Sequence, residues 1–113
     1  MLITRRYLEE HPDHIFVFGD NTIRRGTKGA AALRHMPNTY GFITQIYPDT
    51  RDSSHYGISE YRKVYQVEIK KLRETIIANP TKTFLISKVG GGLANVYGIF
   101  ENVIEPNIRK DLS

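Results

Sequence analysis

The chain reads as an α/β domain built on a mainly parallel sheet with helices packed on it, and three observations predict this. Runs at residues 15–18, 40–47 and 83–87 have the length and the apolar, β-branched or aromatic content of strands. Between the second and third runs, Tyr61, Tyr65, Ile69, Leu72 and Ile76 recur at intervals of four and three, the spacing of one helix face. The first and third runs each lead into a glycine-bearing loop and then a helical stretch. Alternation of this kind places strands in parallel and gathers ligands at their carboxyl ends.

The elements follow in order. Residues 1–14 form a lead-in, with a short strand at Leu2 and Ile3 and a polar helical turn from Arg5 to Glu10 that Pro12 stops. Ile15, Phe16, Val17 and Phe18 are a buried strand, which Gly19, Asp20 and Asn21 end in a polar elbow. A helix is expected from about Lys28 to His35, rich in small residues, before the break at Pro37. The second strand closes at Pro48, and residues 49–58 are read as a surface loop. Ser59 is the expected N-cap of the long helix, whose outer side carries Lys63, Lys70, Lys71 and Glu74 and which ends at Asn79 and Pro80. After the third strand come Lys88 and the glycine triplet, then a helix from Val96 or Tyr97 to Ile104.

Composition bounds the class. With 113 residues the chain has room for a single core, and no internal repeat or linker divides it, so residues 1–113 are read as one domain. No apolar run approaches a bilayer span and the N-terminus lacks a signal-peptide core, which predicts a cytoplasmic protein with no membrane partner. The absence of cysteine excludes disulfides, thiolate metal sites and a cysteine nucleophile. His11 and His14 sit beside Pro12 and Asp13 in an expected turn, so no metal and no cofactor is expected. The net charge of +4 suits a polyanion, and its densest cluster, Arg24, Arg25 and Lys28, lies in the first loop and not along a face.

The two glycine loops carry the functional expectation. Gly26 and Gly29 let a phosphate approach the first loop's backbone, and a following helix start would add free N–H groups and a positive dipole end. Gly90, Gly91 and Gly92 free the second loop to turn several N–H groups toward one point. If the first and third strands are neighbours, both loops face one crevice and hold a diphosphate between them.

These loops resemble those of the macro domain, the ADP-ribose-binding α/β module. The first match runs from Phe18 through Gly19, Asp20, Asn21 and Thr22 and then from Gly26 to Ala31; the second is Val89, Gly90, Gly91, Gly92, Leu93 and Ala94. The chain is also similar to small bacterial and phage proteins sharing the FGDNT and GGGLAN stretches. The resemblance implies a shortened macro-like fold in which the amides of Gly90, Gly91, Gly92 and Leu93, with Val89 and Asn95 alongside, wrap a diphosphate that loop-one amides from Gly26 to Gly29 meet from the other side. Asn21 would address ribose hydroxyls, Arg24, Arg25 or Lys28 would neutralise charge, and Tyr97 or Phe100 would line the distal pocket. Asp20 would hold the adenine amino group, act as a base, or cap a turn.

Two function classes follow, with a third behind them. The first is capture of an ADP-ribose-derived nucleotide without turnover; in a phage the resemblance implies sequestration of a NAD-derived immune signal. The second is an ADP-ribosyl hydrolase or signal-cleaving enzyme with Asp20 or Asn21, or more remotely His35 or His55, beside the water. Where hydrolytic macro domains often carry an acidic residue, Ala30 and Ala31 stand here, and the paired glutamates of poly(ADP-ribose) glycohydrolases are missing. Nucleic-acid binding through the basic surface ranks third. The oligomeric state is open, a homo-oligomer included.

Overall fold

A computed structural model describes residues 2–113. The order is α1 (Arg5–Glu10), β1 (His14–Asn21), a 3-10 turn (Gly29–Leu33), β2 (Thr39–Gln45), a second 3-10 turn (Asp52–Ser54), α2 (Ile58–Ala78), β3 (Thr83–Ile86), a π-helical turn (Phe100–Ile104) and α3 (Ile108–Leu112). The strands form one all-parallel sheet in the order β2-β1-β3. The α/β class and the parallel sheet are therefore as expected.

Alternation along β1 explains the two layers. Phe16 and Phe18 face Leu8 of α1 and Met36, while Val17 faces the larger cluster with Phe42, the α2 residues Tyr61, Tyr65, Ile69 and Leu72, and Val103 and Ile104 of the π turn. A central strand flanked on both sides must be apolar on both faces, which is why 15–18 is unbroken.

The long helix begins at Ile58 with Gly57 as N-cap, not Ser59, because the chain is still extended at Gly57 and already helical at Ser59. Its buried face carries one charge, Glu68, whose Oε1 accepts the Ile43 N–H at 2.7 Å. Tyr61 donates its hydroxyl to the Ile43 carbonyl. Together they occupy both backbone polar groups of Ile43, so α2 caps the free edge of β2 at that residue as well as packing on the sheet face.

Several boundaries differ from expectation. Leu2 and Ile3 form no strand, since neither strand edge takes them up. β1 continues through Gly19, Asp20 and Asn21, because their neighbours in β2 pair with them as far as a bulge between Asp20 and Asn21. The expected helix 28–35 is only the five-residue 3-10 turn Gly29–Leu33: Gly29 has φ +60° and Pro37 closes the far end. The last expected helix is only the π-helical turn Phe100–Ile104, after Gly98 at φ +78°, and a further short helix follows Pro106. No described helix is long and apolar enough to cross a membrane.

Candidate functional site

Because all three strands are parallel, the loops after β1, β2 and β3 all emerge at one end of the sheet. They enclose a cleft of about 800 Å³. Gly19 at the tip of β1 permits the closest approach: a Cβ there would lie 3.1 Å from Thr44 Oγ1 and 3.5 Å from the Gly90 amide nitrogen. The two glycine loops, far apart in sequence, thus meet at one floor.

Most of the expected site residues line this cleft. The β1 tip contributes Gly19, Asp20 and Asn21, and the first loop adds Arg25, Gly26, Lys28 and Gly29. The β3 loop contributes Val89, Gly90, Gly92 and Leu93. Four others do not line it. Arg24, at φ +54°, donates Nη1 to Asp20 Oδ2 and to the Gly41 carbonyl. Gly91 closes a turn by donating to the Lys88 carbonyl at 3.0 Å. Asn95 accepts the Phe100 N–H and donates to Glu101, capping the π turn. Tyr97 lines a smaller neighbouring cavity of about 360 Å³.

Within the fold Asp20 and Asn21 are both held by other groups of the chain. Arg34 donates Nη2 to Asp20 Oδ1 at 2.7 Å, Nε to the Gly26 carbonyl at 2.7 Å and Nη2 to the Arg25 carbonyl at 3.1 Å. Burial alone would raise the Asp20 carboxyl, but Arg34, the Asn21 amide and Arg24 outweigh it and hold it below its ordinary value. A carboxylate so held is a poor base. Asn21 donates Nδ2 to the Arg25 carbonyl and accepts the Ile23 N–H, so its amide shapes the loop before it meets any ligand. Arg34, inside the stretch expected as a helix from Lys28 to His35, is the residue that ties strand tip and loop together.

The cleft's cations are Arg25, Lys28 and Lys88. None has a carboxylate within ion-pair distance among the described residues, and Lys88 Nζ stands 4.8 Å over the Phe100 ring. Nor does any described acceptor meet the amides of Gly26, Thr27 and Lys28 in one loop or of Gly90, Gly92 and Leu93 in the other. The cleft's positive groups are therefore side chains and unpartnered amides; the short 3-10 turn supplies no helix dipole of consequence.

The loop after β2 was expected at the surface, yet Pro48, Asp49, Thr50 and His55 wall the cleft, and Ser54 and His55 are buried. The rule that carboxyl-end loops of neighbouring strands share a crevice applied to β2 as well. Asp49 accepts from Arg51 and from Ser54 Oγ, which hold its carboxyl well below the usual range. His35 is exposed outside the cleft. His11 and His14 stack beside Tyr7 at the opposite end of β1, and no group of three possible metal ligands occurs among the described residues.

The model of a family of unknown function, DUF7831, matches residues 1–97. The chain belongs to that family. No curated protein and no solved structure matches it. The DUF7831 match spans all three strands and every residue lining the cleft, whereas the π turn and α3 lie beyond it.

Proposed function

We propose that this DUF7831 protein captures an ADP-ribose-derived nucleotide, holding its diphosphate between the loops after β1 and β3, and releases it unchanged. The observation that carries this reading is that Arg25, Lys28 and Lys88 line one cleft together with residues of both glycine loops whose amides have no partner among the described residues. A diphosphate needs cations and N–H donors from two sides, and charge-assisted hydrogen bonds contribute about 1.5–3 kcal/mol each. Three or four of them reach micromolar affinity, near −8 kcal/mol, after ordering costs of several kcal/mol. The likeness of the loops to those of the macro domain narrows the ligand to ADP-ribose and its relatives. A phage protein of this kind, working in the cytoplasm, would sequester a nucleotide immune signal.

Capture is favoured over hydrolysis because the candidate bases Asp20 and Asn21 are engaged by Arg34, Arg24 and the loop backbone. Calorimetry with ADP-ribose, followed by chromatography after overnight incubation, is the test. Saturable binding with intact ligand recovered is the expected result. Failure of ADP-ribose and every adenine nucleotide to bind at high micromolar concentration removes the reading, and a cleaved product replaces capture with hydrolysis.

A further inference from the structure

His55 is the wall between the main cleft and the smaller cavity of about 360 Å³. It is 6% exposed, and its Nδ1 lies 2.7 Å from the Arg51 carbonyl oxygen. A carbonyl only accepts, so Nδ1 carries the hydrogen and, in the neutral ring, Nε2 is left as an acceptor. Nε2 has no described partner. Every fully enclosed side-chain nitrogen or oxygen among the described residues does have one, so Nε2 opens onto the cavities that His55 lines.

The smaller cavity differs in sign from the cleft. Its charged lining residues are Asp52 and Glu60, and neither pairs with a cation among the described residues. Tyr97, 44% exposed, adds a flat apolar wall. His55 lines both the cleft that holds Arg25, Lys28 and Lys88 and the smaller cavity, so for a nucleotide whose diphosphate sits in the cleft the group to test beyond His55 is the ribose bonded next to the phosphates. Its vicinal hydroxyls are two adjacent donors, which suit an imidazole acceptor flanked by carboxylates. A further phosphate would be repelled there.

We propose that this cavity is a second subsite of the same ligand, one that accepts the vicinal diol of a ribose through His55 Nε2 and Glu60 and excludes a terminal phosphate. The proposal rests on the diphosphate reading of the main cleft. It also predicts a preference among nucleotides that the main cleft alone would not impose.

Calorimetry on the full chain with pyrophosphate, ADP and 2′-deoxy-ADP is the test. ADP should bind at least about tenfold tighter than pyrophosphate and about tenfold tighter than 2′-deoxy-ADP, the worth of one hydrogen bond to a charged acceptor. Glu60→Gln, an exposed change outside the main cleft, should erase most of that margin while leaving pyrophosphate affinity within about twofold, and His55→Phe should erase the margin as well. Equal binding of ADP and 2′-deoxy-ADP, or a margin unchanged in Glu60→Gln, overturns the diol subsite and leaves the diphosphate cleft standing. Should neither pyrophosphate nor ADP bind, both fall.

Discussion

Arg34→Met asks most directly whether the cleft is organised by a buried charge. The wild-type guanidinium reaches both Asp20 oxygens, at 2.7 and 3.3 Å, and the carbonyls of Gly26 and Arg25, while the Asp20 side chain is only 2% exposed. Removing one partner of a buried pair costs about 3–5 kcal/mol because the other charge is stranded. Arg24 remains 3.1 Å from Oδ2 and is half exposed, so the loss belongs at the low end, about 3 kcal/mol. For a domain near this size that is a fall in Tm of roughly 10–15 °C. Adding Asp20→Asn should recover part of the loss, since no buried charge is then left unpaired.

The pH dependence supplies a sign that simple loss of packing would not. Asp20 is held below its ordinary value of 3.8, so in the wild type its contribution is full above about pH 4 and is lost as pH falls through the folded-state value. In Arg34→Met the carboxyl loses its strongest lowering partner and moves up from that value, so the variant's deficit should shrink on acidification from pH 7 toward 3. Urea midpoints across that range are the assay. A single variant as stable as the wild type, or a deficit that stays constant with pH, refutes the account of Asp20.

Further predictions concern the loops and the sheet edge. Gly90→Ala should cost roughly 2–4 kcal/mol, because φ is +79° and a Cβ would press on Ile104, whereas Gly92→Ala, with open space around it, should stay within about 0.5 kcal/mol; equal melting points would contradict this. Lys88→Gln should weaken ADP-ribose binding about tenfold with little change in Tm, and undiminished affinity by calorimetry would remove Lys88 from the anion site. Glu68→Ala should destabilise by about 1–3 kcal/mol in urea unfolding by orphaning the Ile43 N–H, with Glu68→Gln milder; an unaffected midpoint would show that the β2 edge does not need it.

How far the sequence reaches depends on the range of the interaction. Strand and helix identity are local: β-branched runs and the 61-65-69-72-76 stripe specify their own elements, and the alternation of strand and helix specifies parallel pairing. The glycine loops were legible for the same reason, since backbone freedom is written residue by residue. Partnership across the fold is not local. Whether Asp20 meets solvent or Arg34, whether Asn95 faces ligand or caps the π turn, and whether His55 sits in a surface loop or between two cavities depend on residues up to 14 positions away or on neighbouring strands. Only the assembled sheet, with β1 at its centre and three loops at one end, decides which charges neutralise each other and which are left without a partner in the cleft.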